Sequence, residues 1–398
     1  MRAHYIIKVE ISAFQLFMRG IIMKVLILSC DTGEGHNSAG NAIMECIKLH
    51  GDEAQMLDVM MLKGKRTSRF VGGGYCSVVK HTPAFFSLLY KLGAAISSPK
   101  RKSPVYYANA LLAKRLKKYI DDNGFDIIVA VHLFPAETLT YMKHKKMLKQ
   151  KVIAIETDYT CIPFWEETRC DYYVIPHKEL ADEYISKGIP AQKLRPYGIP
   201  VKQDFSKPRM KVSARTACNI PQEANVYLIM SGSMGFGKIQ IFVADLLCRS
   251  NKNDYIIVIC GNNKKLYNIL TKEFGRFKNV KILGYTNHIA AYMDASDVLF
   301  TKPGGLTSTE AAVKGIPVVH TKPIPGCETC NLEFFTTKGM SVSSNKFHGQ
   351  IAAGQNLLNN KLRQDAMRQA QTDTIPKDAA NKIYRLLLRH CNNKERNE

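Results

Sequence analysis

Short apolar segments alternate with segments of helical periodicity, and this pattern occurs in both halves of the chain. The apolar segments are rich in Val and Ile, which is typical of parallel strands buried on both faces. We predict strands at 24–29, 127–131, 152–156, 172–176, 226–231, 255–261, 280–285, 297–302 and 316–320. We predict helices at 39–50, 106–121, 238–249, 264–274, 307–314, 332–337 and 379–390. The alternation predicts an α/β fold with two doubly wound, Rossmann-like sheets.

The predicted domains are 23–205 and 206–376, because three prolines and few apolar residues interrupt the pattern within 196–215. Residues 377–398 are predicted to form a final helix and a polar tail. Residues 1–22 mix charges into a short apolar stretch without a signal-peptide cleavage site, and we interpret them as an extension before a natural start at Met23. Ligands of such folds bind at the carboxyl ends of the strands, here between the two domains.

The composition is that of a globular protein, with 45% hydrophobic and 23% charged residues in 398. The 11 cysteines have no framework spacing, which predicts a reducing, cytoplasmic compartment. The close pair Cys327 and Cys330 lacks a second pair at ligand spacing, so we expect neither a metal nor a redox site. No apolar segment is long enough to span a membrane.

The net charge of +22 requires an anionic partner, either nucleic acid, a membrane surface or an acidic substrate. Residues 59–120 contain no Asp or Glu but many Lys and Arg among aromatic and aliphatic residues, as in segments that bind the membrane interface. The candidate residues are Phe85, Phe86, Leu88, Leu89, Lys100, Arg101 and Lys102. The segment contains no recognised nucleic-acid motif, so we expect no nucleic-acid partner. The alternative to membrane binding is that this segment forms helices that pack their apolar faces on the sheet and expose a basic face to solvent.

Two glycine-bearing turns follow predicted strands of the second half. The first contains Ser231, Gly232, Ser233, Met234 and Gly235, and the second contains Lys302, Pro303, Gly304 and Gly305. Each turn precedes a helix whose first amides could bind a diphosphate, although a turn without a ligand fits equally well. Thr307 and Glu310 could form a capping box, or Glu310 could bind the ribose hydroxyls.

A histidine follows the first strand, in the sequence "SCDTGEGHNSAG". His36 can act as a general base near neutral pH, with Gly33 and Gly35 allowing a tight turn and Asp31 or Glu34 orienting the ring. Alternatively, His36 or Asn37 caps the helix. Side chains that end other strands of this sheet, namely His132, Thr157 and Asp158, could contribute to an acceptor site or support it.

These motifs together resemble the monogalactosyl- and diglucosyl-diacylglycerol synthases. The resemblance rests on Gly284 and Tyr285, on "YMDASDVLFTKPGGLTSTEAAVKGIPVV", on "PIPGCETCN" and on the N-terminal Gly-x-Gly-His signature. It implies a GT-B fold and inverting transfer of a hexose from a UDP-sugar to diacylglycerol. It also implies His36 as base, Ser233 and Met234 beside the diphosphate, Glu310 on the ribose, and Glu328 and Asn331 on the hexose. Glu34, Cys327 and Cys330 depart from the family pattern.

The resulting prediction is a UDP-hexose-dependent glycosyltransferase bound peripherally to the inner face of the cell membrane. We expect no cofactor, with the UDP-hexose as co-substrate, and no metal, because the chain has no Asp-x-Asp triplet at the site. Three alternatives remain open: a different lipid-linked acceptor such as a polyprenyl-diphospho-sugar, UDP-sugar 2-epimerisation, and a non-catalytic UDP-sugar-binding membrane regulator.

Overall fold

Two parallel six-stranded sheets form the framework of the computed structural model, which describes residues 22–30, 34–64, 92, 98–99, 102–230 and 239–391. The strands are β1 (Lys24–Ser29), β2 (Glu53–Asp58), β3 (Ile127–Ala130), β4 (Lys151–Ile155), β5 (Tyr172–Val174), β6 (Leu194–Arg195), β7 (Asn225–Met230), β8 (Asp254–Ile259), β9 (Val280–Leu283), β10 (Val298–Thr301), β11 (Val318–His320) and β12 (Val342–Ser343). The strand order is β2-β1-β3-β4-β5-β6 in one sheet and β12-β11-β10-β7-β8-β9 in the other. The GT-B architecture predicted from the sequence is therefore confirmed.

Helices cover both sheets. They are α1 (Glu34–Leu49), α2 (Pro104–Ala110), α3 (Ala113–Asn123), α4 (Leu133–His144), α5 (Ala181–Ser186), α6 (Gln203–Ser206), α7 (Lys211–Cys218), α8 (Ile239–Arg249), α9 (Lys264–Phe274), α10 (Ile289–Ala295), α11 (Gly305–Lys314), α12 (Cys327–Thr337), α13 (Phe347–Asn359), α14 (Lys361–Thr374) and α15 (Ala379–Cys391). None of the helices in the described part of the chain has the length and apolar character needed to cross a membrane.

The core consists of apolar side chains on both faces of each sheet, because parallel strands are covered by helices on either side. The C-terminal helix α15 returns to the first sheet, where Ile383 and Leu387 pack with Val25 and Val129. We call the first sheet with its helices and α15 the N-terminal lobe, and the second sheet with its helices the C-terminal lobe. The predicted domain boundary at residue 205 falls inside α6, and the boundaries stay predictions.

The lobes share one apolar cluster, in which Ala39 and Tyr159 of the N-terminal lobe pack with Leu306 and Phe334 of the C-terminal lobe. Tyr159 stacks on Phe334 with ring centroids 4.6 Å apart. Burial of such aromatic surface stabilises contact between the lobes. The segments that follow β1 and β4 therefore lie against the C-terminal lobe, where the fold predicts a ligand site.

Several element predictions were wrong in detail. The predicted helix 106–121 is two helices, α2 and α3, and the helix predicted at 332–337 begins at Cys327. The strands β2, β6 and β12 were not predicted. β2 contains exposed polar positions at Glu53 and Gln55, and β6 and β12 have two residues each, too few to show a period.

Candidate functional site

His36 lies in the first turn of α1, directly after the carboxyl end of β1. The Ser29 hydroxyl, at the end of β1, donates to Asn37 Oδ1 at 2.6 Å and ties the start of the helix to the strand. Because α1 begins at Glu34, neither His36 nor Asn37 occupies the capping position. The capping interpretation of these two residues is therefore wrong.

The ring of His36 is held through Nδ1. This nitrogen lies 3.0 Å from the carbonyl oxygen of Val131 and 2.9 Å from the hydroxyl oxygen of Thr157. A carbonyl oxygen can only accept a hydrogen bond. Nδ1 therefore carries the proton and donates a hydrogen bond to the carbonyl oxygen of Val131. The lone pair is then on Nε2, which has no hydrogen-bond partner among the described residues. The half-buried ring is oriented as a proton acceptor.

The electrostatic surroundings keep this imidazole neutral. Burial lowers the pKa of His36, while the charge of Asp158 and the Val131 carbonyl act in the opposite direction. The ring of His132 lies edge-on, 4.6 Å away, and burial together with His36 holds the pKa of His132 well below its usual value. His132 also accepts a hydrogen bond from Phe134 N at 3.1 Å and so caps α4, which is a structural role.

Of the two acids that the local sequence suggested beside His36, the structure describes only Glu34. Glu34 accepts a hydrogen bond from the Asn262 side chain at 2.8 Å and links α1 to the C-terminal lobe. Asp31 lies outside the described residues. Among the described residues, the charge of Asp158, which follows β4 rather than β1, acts to raise the pKa of the imidazole.

The helix α11 faces this histidine from the other lobe. It begins at Gly305 with Gly304 as N-cap, so Thr307 already lies within the first turn and the capping-box interpretation is wrong. Glu310 is 7% exposed, and burial raises the pKa of its carboxyl to about 8, partly offset by Lys202 from the segment that joins the lobes. Glu310 forms no ion pair within the described part of the chain, and a buried carboxyl of this kind is a candidate acceptor for ligand hydroxyls.

The backbones of the two lobes approach each other closely at Gly305. A Cβ atom at this position would lie 1.9 Å from the carbonyl oxygen of Thr157, well inside van der Waals contact. A Cβ on Gly35, beside His36, would lie 3.9 Å from the Leu306 side chain. Glycine at 305 therefore lets the start of α11 pack against the residue that contacts His36.

The hexose-binding pair implied by the resemblance lies on α12. Glu328 forms an ion pair with Lys302 at 2.5 Å and accepts a hydrogen bond from Ile324 N at 2.9 Å. Asn331 is fully buried and crosses between the lobes: its Nδ2 donates to Asp158 Oδ1 at 2.8 Å, and its Oδ1 accepts from Tyr159 N at 2.6 Å. Both side chains therefore lie beside the second glycine turn, where Pro303 O accepts from Asn331 Nδ2 at 3.0 Å.

The remaining predicted residues are dispersed or outside the described chain. Gly284 and Tyr285 follow β9, and Tyr285 is 65% exposed. Lys102 donates to the Glu167 carbonyl and lies over the Tyr106 ring, so it supports its own lobe. The described residues do not include Ser231, Gly232, Ser233, Met234, Gly235, Phe85, Phe86, Leu88, Leu89, Lys100 and Arg101.

Sequence reasoning missed three groups at this interface. Val131 acts through its carbonyl, so its side chain carries no signal. The hydroxyl of Tyr159 forms a hydrogen bond of 2.7 Å with Thr309 Oγ1, and Asn262 binds Glu34. The position of Tyr159 two residues beyond Thr157 was the available signal.

Among the described residues, no group of three or more His, Cys, Asp or Glu side chains is arranged to hold a metal ion.

Both halves of the chain match known protein families. Residues 36–201 match the family model of monogalactosyldiacylglycerol (MGDG) synthase, and residues 228–373 match that of the glycosyl transferases group 1. The chain is 27% identical over 368 residues to the processive diacylglycerol beta-glucosyltransferase of Staphylococcus aureus (strain Newman), covering 89% of this chain and 92% of that protein.

Two solved structures have the same fold. MurG of Acinetobacter baumannii matches with a TM-score of 0.58 and 14% identity, over 92% of this chain and 99% of that chain. The UDP-GlcNAc 2-epimerase of Neisseria meningitidis bound to UDP-GlcNAc matches with a TM-score of 0.59 and 14% identity, over 92% of this chain and all (100%) of that chain. At 14% identity these matches show the fold but do not identify the reaction, which has to be inferred from the residues of the site.

Proposed function

We propose that this chain transfers a hexose from a UDP-sugar to diacylglycerol. Its N-terminal half matches the monogalactosyldiacylglycerol synthase family, and its C-terminal half matches the glycosyl transferases group 1. The observation that carries the proposal is the 3.0 Å distance between His36 Nδ1 and the Val131 carbonyl oxygen, which requires a proton on Nδ1 and leaves Nε2 able to accept one. The relative from S. aureus is named as a diacylglycerol glucosyltransferase, and the similarity extends over nearly its whole length. This relative supports diacylglycerol as the acceptor class.

The chemistry follows from this arrangement. Nε2 of His36 takes the proton of the acceptor hydroxyl while the hydroxyl oxygen attacks the anomeric carbon of the hexose. The bond between that carbon and the diphosphate oxygen breaks, and UDP leaves with the electron pair. Attack from the face opposite the leaving group inverts the configuration at the anomeric carbon.

The leaving diphosphate needs positive potential as its charge develops. The amides that begin α11 and the positive end of its dipole supply this potential without a metal in the proposed mechanism. The loop 231–235 is proposed to contribute a second set of amides. Lys302, held by Glu328, adds a cation at the end of β10.

Glu310 is proposed to accept the ribose hydroxyls, which makes UDP binding depend on pH. Burial raises the pKa of this carboxyl to about 8 in the unliganded protein, so at pH 7 most of it is protonated and only part accepts two hydrogen bonds. The carboxylate binds the hydroxyls better, so we expect UDP affinity to rise as pH increases from 6.5 to 8.5. Calorimetric titration of UDP across this range measures the effect.

The matched control is Glu310→Gln, which keeps the size of the side chain but does not ionise in this range. We expect Glu310→Gln to bind UDP more weakly than the parent at pH 8.5 and to lose the pH dependence. Equal pH dependence in both proteins would exclude Glu310 as the group responsible.

The membrane part of the proposal is supported by one face of α3 and by Leu111, which lies between α2 and α3. Leu111, Lys114, Arg115 and Lys118 are exposed and recur at helical spacing, whereas Leu112, Leu116 and Ile120 pack inward. Leu111 is 71% exposed and Tyr107 on α2 is 61% exposed. Apolar side chains beside a row of cations suit the interface of an anionic bilayer, on the inner face of the membrane in our proposal.

The test is incubation of the full chain with each of several radiolabelled UDP-hexoses and vesicles containing diacylglycerol and phosphatidylglycerol. We expect a labelled glycolipid in the floated vesicle fraction, also in the presence of a metal chelator. Label on a polyprenyl-diphospho-sugar instead would move the function to that acceptor. Conversion of UDP-GlcNAc to its 2-epimer, or UDP binding without transfer to any acceptor, would contradict the proposal.

A further inference from the structure

The segment that begins at Thr157, after β4, lies against the C-terminal lobe. The carbonyl oxygen of Thr157 is so close to Gly305 that a Cβ atom there would lie 1.9 Å from it. The next two residues are held by hydrogen bonds: Asp158 Oδ1 accepts from Asn331 Nδ2 at 2.8 Å, and Tyr159 N donates to Asn331 Oδ1 at 2.6 Å. The position of this segment therefore depends on α11 and α12 of the C-terminal lobe.

The side chain of Thr157 extends from this segment to the proposed base. Its hydroxyl oxygen lies 2.9 Å from His36 Nδ1, and only 5% of the residue is exposed. Because Nδ1 carries a proton toward the Val131 carbonyl, the Thr157 oxygen accepts from the same N–H group. This N–H group therefore has two hydrogen-bond acceptors. Val131 belongs to the N-terminal lobe alone, whereas the position of Thr157 depends on contact with the C-terminal lobe.

The Thr157 hydroxyl matters most when the imidazole is charged. When Nε2 takes the proton of the diacylglycerol hydroxyl, His36 becomes an imidazolium whose Nδ1–H still faces both oxygens. A hydrogen bond from a charged donor is about twice as strong as one between neutral groups. The Thr157 hydroxyl therefore stabilises the protonated ring more than the neutral ring, and it helps to fix the direction in which Nε2 points.

We infer that Thr157 is a positioning residue through which contact between the lobes holds His36: packing of α11 against its backbone places its hydroxyl against the imidazole. Thr157 neither gains nor loses a proton. The proton taken by Nε2 stays on the ring until product leaves and water accepts it. The inference rests on the proposed function for its meaning in catalysis, but the hydrogen bond exists in the unliganded protein and can be measured there.

The experiment is an NMR titration of the full chain labelled with ¹⁵N-histidine, with the His36 signals assigned from their loss in His36→Gln. Thr157→Val removes the hydroxyl but keeps the shape of the side chain. We expect it to lower the pKa of His36 by about half a unit, because the imidazolium loses one of its two acceptors. Thr157→Ser keeps the hydroxyl and should restore the titration of the parent.

A matched control is Thr160→Val in the same segment. The Thr160 hydroxyl donates to Glu183 Oε1 at 2.7 Å and does not contact His36, so this variant should leave the His36 titration unchanged. All these variants keep the titratable groups on the elements near the ring, which are Asp158 and Glu156 after β4, His132 after β3, Glu34 on α1 and Glu310 on α11. A change between parent and variant therefore reports the contact at Nδ1.

Two glycine variants test whether contact between the lobes acts through Thr157. Gly305→Ala forces the start of α11 away from the Thr157 carbonyl, and we expect it to move the His36 titration in the same direction as Thr157→Val. In the double variant, Gly305→Ala should add nothing, because the hydroxyl that transmits its effect is absent. Gly304→Ala, whose Cβ would meet no atom of the described residues within 4 Å, should leave the titration unchanged.

The pH profile of kcat/KM gives a second readout. In Thr157→Val, we expect the acid limb to move to lower pH and the plateau to fall about tenfold, because the ring is held less precisely. The inference is overturned by an unchanged His36 titration in Thr157→Val or Gly305→Ala, by a failure of Thr157→Ser to restore it, or by a further shift in the double variant. If the parent transfers no sugar, the proposed function fails, while the NMR titration still decides the inference.

Discussion

Replacement of His36 by alanine is expected to lower kcat for glycolipid synthesis by about 10²- to 10⁴-fold, the usual contribution of a general base. The variant loses the Nε2 lone pair that takes the acceptor proton. It keeps the start of α11, Glu310 and the other groups proposed to bind the donor. The dissociation constant of UDP should therefore change little, and calorimetry together with initial rates at saturating substrate measures both quantities.

The control for this variant is His132→Asn. His132 is the second imidazole at the site, but its ring caps α4, and asparagine also serves as a helix cap. We expect a much smaller loss of kcat than in His36→Ala. Similar losses in both variants, or full activity in His36→Ala, would show that the base has been assigned to the wrong residue.

Replacement of Gly305 by alanine is expected to lower kcat/KM about 100-fold, because it separates the two lobes at the site. The added Cβ would lie 1.9 Å from the Thr157 carbonyl oxygen, so α11 and the segment at Thr157 must move apart. Displacement of reacting groups by about 1 Å is enough for a loss of this size. Initial rates, with thermal unfolding to confirm that the variant folds, provide the measurement.

The neighbouring glycine gives the comparison for this prediction. A Cβ on Gly304 would meet no atom of the described residues within 4 Å, and its φ of −74° is accessible to any residue. We expect Gly304→Ala to lose far less activity than Gly305→Ala. If Gly304→Ala and Gly305→Ala lose the same activity, the loss comes from reduced backbone flexibility of the turn. The close approach of Gly305 to Thr157 would then not explain it.

Strands buried on both faces were predictable, because nothing but a continuous Val- and Ile-rich segment can occupy that position. The same reasoning could not find β2, which lies at the sheet edge and keeps polar side chains at Glu53 and Gln55. It also could not find the break between α2 and α3. Leu111 continues the apolar pattern there but faces solvent, at 71% exposure.

The position of His36 followed from the sequence because it comes directly after a strand of a doubly wound sheet. Its partners did not. Acids close in sequence, Asp31 and Glu34, were the natural candidates, yet Glu34 binds Asn262, a residue of the other lobe. The groups that hold the ring are the backbone carbonyl of Val131 and the hydroxyl of Thr157, which follows β4. Such contacts depend on how the strands are ordered and how the lobes meet, which local patterns do not encode.

The central claim is that base and leaving group lie on opposite faces of the transferred sugar, one in each lobe. The anomeric configuration of the first glycolipid product, made from an α-linked UDP-hexose and diacylglycerol, tests it most directly. Proton NMR of the purified product should show the large H1–H2 coupling of a β-glycoside. An α-glycoside, formed with retention, would contradict direct displacement assisted by His36.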